Sequence, residues 1–270
     1  MKYVAWSGGF DSNYLVMKHV LNGETVQPIY CSMKGIETYS DNEVPLEYLK
    51  FRDGFQLKTI KYFKDKYSDH ILEPIILDAE KYYSENKKEI ENIKEDVSNL
   101  ENEIKNFYSN NEEYLRMFPV GMLQPYIFPI IDLSNKMCIK VECGVDIGRP
   151  IYGPRMPAVK DNHRVHESFF DFGPMLGIDE EMKITDPKYT KLSNLTFPIY
   201  NKTKSDMGKD LIEIDPDLFL DIVENGASCT RENKINKSNY CHECPSCTSL
   251  RDEIFFMKNL QKIKNLSKRL

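Results

Sequence analysis

Long apolar runs are missing from this chain. One of the longest, residues 126–133, falls well short of the roughly 20 residues that a membrane span requires. The segment 1–9 lacks the apolar core and cleavage site of a secretory signal, so no export is expected. An excess of positive charge is missing too. With 36 Lys+Arg against 42 Asp+Glu, the net charge is -6, which excludes a broad basic surface for non-specific nucleic-acid binding and leaves only a local basic groove. There is no internal repeat, no low-complexity linker and no GxxxxGK[ST] phosphate loop. What is present is ample apolar material: 41% of 270 residues are hydrophobic, enough for one large core with elaborations and too much for a disordered chain.

The 7 cysteines are odd in number and lack a secretion signal, which argues for a reducing, cytoplasmic compartment. Cys31, Cys138 and Cys143 are scattered through the first half. Cys229, Cys241, Cys244 and Cys247 crowd into a short later segment, and such crowding points to a metal before disulfides. Four thiolates are the set that a tetrahedral structural Zn2+ takes, and they leave no open coordination position for catalysis. An iron–sulfur cluster and unligated thiols are the alternatives, and the adjacent His242 would be a redundant ligand.

The pattern along the chain is one of alternating strands and helices. Residues 3–6 are a short apolar run, Ser7-Gly8-Gly9 breaks it, and Asp11 or Ser12 can cap a helix beginning near Asn13. Strands are expected at 26–31, 73–78 and 137–144, with a helix over 45–67 that has Leu46, Leu49, Phe55, Leu57, Ile60 and Phe63 available for a buried face. This alternation predicts an α/β domain with a mostly parallel sheet that binds ligands beyond the carboxyl ends of its strands. Between 80 and 116 Lys, Glu and Asn dominate, with Ile90, Ile93, Val97, Leu100, Ile104 and Phe107 at helical spacing. One long inserted amphipathic helix, alone or as part of a helical hairpin, is expected there, either a packing lid or a partner contact. The domain layout is therefore 1–79 with 117–200 as the α/β unit, 80–116 as a helical insertion and 201–270 as a helical, zinc-binding region.

The hexapeptide Ser7-Gly8-Gly9-Phe10-Asp11-Ser12 carries the most chemistry. Two glycines allow a tight turn that brings backbone N–H groups to an anion, and the next helix aims its positive end at the same point. Ser7 and Ser12 add hydroxyls, and Asp11 offers a carboxylate for Mg2+ beside phosphates. The plain alternative is an ordinary Ser-Gly-Gly turn.

That loop, after an amino-terminal strand, resembles the SGGxDS loop of the PP-loop ATP pyrophosphatases. The stretch from Pro198 through Lys204 and Asp206, then Ser228-Cys229, then Cys241-x2-Cys244-x2-Cys247 and Arg251, is similar to the tail of the 7-cyano-7-deazaguanine synthases (QueC family). The resemblance covers both ends of the chain well and the middle by strand order. It implies a Rossmann-like (HUP/PP-loop) α/β fold with helices on both faces, and an AMP-forming C–N ligase that adenylates 7-carboxy-7-deazaguanine. Ammonia then converts the acid to an amide and onward to the nitrile preQ0. Carried over residue by residue, Ser7, Gly8, Gly9, Phe10, Asp11 and Ser12 fall on the ATP loop, Lys204 falls on the lysine expected near the phosphates, and Asp11 and Lys204 are the catalytic candidates. Cys229, Cys241, Cys244 and Cys247 fall on the zinc ligands, and a homodimer is implied.

Three departures bear on the acceptor. Arg251 stands one residue further from the last cysteine than in the family, Phe118–Gln124 replaces the family's segment near the nucleobase, and the 80–116 helix is extra. They leave room for a relative that conjugates a deazaguanine to a nucleic acid or protein. In the polar loop 149–167, Arg149, Arg155 and Lys160 can hold a substrate carboxylate, while His163, His166 and Glu167 can move protons; a solvated loop is the bland alternative. Phe169, Phe170 and Phe172 are packing residues or a stacking surface. Two other classes stand beside the ligase. A PP-loop tRNA sulfurtransferase would need a reactive cysteine, for which Cys31 and Cys143 are the candidates. A non-enzymatic nucleotide sensor would bind ATP without turnover.

Overall fold

The structure, a computed structural model, describes residues 1–32, 46–86, 127–144, 194–199, 202 and 204–226. In chain order these form β1 (Lys2–Ala5), α1 (Phe10–Leu21), β2 (Val26–Ser32), α2 (Leu46–Lys66), β3 (Ile75–Asp78), α3 (Ala79–Glu85), α4 (Ile127–Met137), β4 (Val141–Cys143), β5 (Leu195–Thr196), α5 (Lys204–Ile214) and α6 (Pro216–Asn225). The strands make one sheet in the order β3-β2-β1-β4-β5. Every pairing is parallel, with Tyr3 opposite Gln27 on one side and opposite Val141 on the other.

Alternation along the strands sends successive side chains to opposite faces. Val4, Trp6, Val26 and Tyr30 face one side, where Leu15 and Val16 of α1, Phe63 of α2, Met207 of α5 and Phe219 of α6 complete a core. Ile29, Cys31, Val141 and Cys143 face the other, where Ala79 of α3 and Phe128 and Ile131 of α4 cover them. The chain is thus a Rossmann-like α/β fold with helices on both faces of a parallel sheet, as the alternating pattern predicts.

Helix α6 starts sharply because Asp215 accepts from the N–H groups of Asp217 and Leu218 at 3.0 Å each and Pro216 follows it. Helices α5 and α6 share the core of α1 and α2, so residues 204–226 belong to the α/β body. Thr59 bonds the Asn225 carbonyl, and Tyr62 and Lys66 both reach Asp221. Among the described residues, no helix is long and apolar enough to cross a membrane.

Three expectations need correction. Helix α1 begins at Phe10 with Gly9 as its cap, so Asp11 and Ser12 lie inside its first turn. The fourth strand is only Val141–Cys143: residue 137 still belongs to α4, and Cys138 turns the chain with φ 51. The helix expected from residue 80 onward stops at Glu85, where the Asn86 backbone and side chain both close on the Tyr82 carbonyl at 3.0 and 2.9 Å. The rest of that expected helix lies outside the described residues.

Candidate phosphate-binding site

Strand order reverses at β1, which has β2 on one side and β4 on the other. In open parallel sheets this reversal leaves a crevice beyond the carboxyl ends of the two strands, where ligands bind. The Ser7-Gly8-Gly9 turn leaves β1 at that crevice. Gly8 takes φ 74, a left-handed conformation that disfavours any side chain, and Gly9 caps α1 with no side-chain hydrogen bond.

Two further glycines close on this turn. A Cβ on Gly144, just after β4, would stand 2.9 Å from the Ser12 nitrogen and 3.0 Å from its Cα, so only a bare backbone fits. A Cβ on Gly226, at the end of α6, would stand 2.5 Å from the Ile222 carbonyl and 3.2 Å from Asn13 Nδ2.

From inside, the turn is held by Asn13, which is fully buried. Its Nδ2 donates to the Gly8 carbonyl at 2.8 Å, and its Oδ1 accepts from Trp6 Nε1 at 2.6 Å. The serines brace the same turn: Ser7 Oγ and Ser12 Oγ are 3.1 Å apart, and Ser12 Oγ donates to the Gly9 carbonyl at 3.1 Å. Such internal bonds fix the loop before any anion arrives, which lowers the ordering cost of binding.

Beside the loop, Lys204 Nζ donates to Asp11 Oδ1 at 2.6 Å, linking the first turns of α5 and α1. Lys204 is not a surface lysine: only 5% of it is exposed. One turn further along α1, Tyr14 donates to Asp210 Oδ2 at 2.7 Å and Lys202 reaches the same oxygen at 2.6 Å. Burial and the Asp210 bond push the Tyr14 phenol above its usual range. Burial would raise the Asp210 carboxyl, but the bonds from Lys202 and Tyr14 outweigh it and hold it below its ordinary value. The site therefore gathers an ammonium, a carboxylate, two hydroxyls and a helix amino-terminus, donor types that suit a magnesium-bound polyphosphate.

The loop residues 7–12 and Lys204 come together as a single site. Arg149, Arg155, Lys160, His163, His166, Glu167 and the four cysteines Cys229, Cys241, Cys244 and Cys247 lie outside the described residues. Among the described residues, no group of three or more His, Cys, Asp or Glu is arranged to hold a metal ion. Cys31 and Cys143 are both buried. Burial, then the charges of Asp53 and Asp78, push the Cys31 thiol up to about 12, and burial with Glu142 does the same to Cys143. Sequence reasoning missed Asn13, Gly144 and Gly226. A glycine directly after a strand was the one available signal, for Gly144. Comparison with protein-family models, with curated proteins and with solved structures gave no match for this chain.

Proposed function

We propose that this chain is a PP-loop ATP-dependent C–N ligase that adenylates a 7-deazaguanine carboxylate and amidates it towards the nitrile. The observation that carries the reading is the Lys204–Asp11 pair set against the Ser7–Ser12 loop at the strand-order reversal.

In this reading a carboxylate oxygen of the acid attacks the α-phosphorus of ATP and pyrophosphate leaves. The amino-terminus of α1 and the Lys204 ammonium stabilise the charge that grows on the departing group. Asp11 orients Lys204 and is the residue that would hold Mg2+, which when bound neutralises phosphate charge. Ammonia then attacks the acyl carbon, AMP departs, and a proton is lost to give the amide. A second ATP activates the amide oxygen in the same way, and loss of AMP with the remaining nitrogen-bound protons gives the nitrile. Cys229, Cys241, Cys244 and Cys247 would hold a structural Zn2+, for which four thiolates are the right donor set.

The sulfurtransferase alternative draws no support from its two candidate cysteines, since Cys31 and Cys143 are buried and burial pushes both thiols up to about 12.

The deciding experiment is mass spectrometry of products from the purified chain with ATP, Mg2+, ammonium and 7-carboxy-7-deazaguanine. AMP, pyrophosphate and the nitrile are expected. AMP with amide alone would redirect the second half of the reaction, towards a conjugate or another product. No AMP with bound ATP would overturn the choice of acid.

A further inference from the structure

The far end of α1 carries a second charged cluster. His19 is buried, with Nδ1 2.6 Å from Glu24 Oε2 in the turn after α1 and Nε2 2.6 Å from Glu142 Oε2 on β4. Lys2, at the start of β1, lies 3.4 Å from Glu142 Oε1 and 3.8 Å from Glu24 Oε1. The charged groups facing the ring are thus Glu24 and Glu142, with Lys2 behind them. A neutral imidazole has one N–H and would turn a lone pair towards one of these carboxylates. Only an imidazolium donates to both.

Strand β4 therefore meets α1 twice. Glu142 meets His19 near the carboxyl end of α1, and two residues later Gly144 meets Ser12 in its first turn. A shift of α1 relative to β4 at one end is carried to the phosphate crevice at the other, because α1 is one continuous helix of 12 residues.

We propose that His19 is a positioning residue: its imidazolium clamps α1 to β4 and so fixes the gap in which the Ser7–Ser12 loop faces Gly144. The clamp stands on His19, Glu24, Glu142 and Lys2 alone; only its effect on ATP rests on the ligase reading.

Burial alone would lower the His19 pKa, but the bonds to Glu142 and Glu24 outweigh it and raise it above 6.5. Burial would raise Glu142, and the contacts with His19 and then Lys2 outweigh that and lower it below 4.5. The raised histidine contributes fully below its unfolded value and loses that contribution as pH rises through its folded one. The lowered carboxylate contributes above its unfolded value and loses that as pH falls through its folded one. The clamp is complete between those two unfolded values and loosens on the alkaline side first in any physiological range.

The test uses the full chain. Histidine-15N NMR from pH 5 to 9 reads the His19 ring, and amide exchange of residues 8–12, corrected for intrinsic base catalysis, reads the loop. Mg-ATP affinity is measured on the same samples by calorimetry. We expect both ring nitrogens protonated at pH 7, and loop exchange rising about ten-fold as the ring loses its proton. Glu142→Gln should move that midpoint to lower pH. A neutral ring at pH 7, or a titrating ring with loop exchange unmoved, overturns the proposal. Absent ATP binding with a responsive loop supports the clamp and strikes the ligase reading instead. The wild-type titration decides the matter even if the variant fails to fold.

Discussion

The ammonium of Lys204 and the carboxylate of Asp11 lie 2.6 Å apart, although 193 positions separate them in sequence. Lys204 gives up nearly all its hydration to reach this partner. Removing the Asp11 charge leaves a buried ammonium beside the positive end of α1, and removing Lys204 leaves a carboxylate that is 27% exposed. Lys204→Met and Asp11→Asn should each cost about 1–3 kcal/mol of stability, read by urea unfolding. Each should also cut AMP formation about a hundred-fold or more. A double variant whose losses simply add would show the two groups acting independently.

Asn13 serves two buried groups with one side chain. Asn13→Ala strands the Trp6 indole N–H and the Gly8 carbonyl, so a loss of about 2–4 kcal/mol is expected. Trp6 is the one tryptophan of the chain, so its emission follows this site alone. An unchanged spectrum and midpoint in the variant would show that the relay does not hold the turn.

Glycines at two positions should answer oppositely to alanine. Gly144→Ala forces a methyl against the Ser12 backbone and should destabilise by about 1–3 kcal/mol while weakening ATP binding. Gly54, within α2, has nothing within 4 Å of where its Cβ would be, so Gly54→Ala should stabilise by about 0.5–1 kcal/mol. Melting temperatures that move the same way for both would contradict the close approach at Gly144.

Thiol reactivity should divide by burial. Cys138 is exposed, while Cys31 and Cys143 titrate up to about 12. At pH 8 such buried thiols are thiolate in roughly one part in ten thousand. Iodoacetamide should therefore label Cys138 in the native chain within minutes and spare Cys31 and Cys143 until denaturant is added. Rapid native labelling of Cys143 would reopen the sulfurtransferase reading.

If the four clustered cysteines hold zinc, metal analysis should give one ion per chain, and Cys244→Ser should lose it together with thermal stability. Iron in its place, with visible absorption, would replace zinc by a cluster. Full stability without metal would make the site dispensable to the fold.

Much of the architecture could be read in advance because buried strands and glycine breaks are local signals. Residues 3–6 and 26–31 betray their strands by apolar runs, and Ser7-Gly8-Gly9 marks the turn between strand and helix. Where α1 begins was misread, because Asp11 and Ser12 are good caps by type while the cap is Gly9. The strand at 137–144 was overextended, since Met137 and Ile139 are apolar in either a helix end or a strand. Lys204 was placed through resemblance, as no spacing rule connects it to Asp11. Asn13 and His19 stayed hidden for a shared reason. A polar residue inside a helix reads as a solvent-facing one until its partners, Trp6 and Gly8 or Glu24 and Glu142, are brought to it by the tertiary fold.

The sheet order carries a consequence for how the chain is made. Strand β1 ends up central, yet its neighbour β4 and the helices that cover its Trp6 face, α5 and α6, come far later in synthesis. A ribosome-bound fragment that has reached α2 therefore holds the complete Ser7–Ser12 loop in sequence while the supports from β4, α5 and α6 are still unmade. One edge of β1 is open, and the apolar side chains that will meet Met207, Leu211, Leu218 and Phe219 are bare. Contacts of such long range fold slowly and leave nascent chains prone to association. Chaperone dependence during translation, followed by abrupt late closure of the Ser7–Ser12 turn, is the expected life history of this fold.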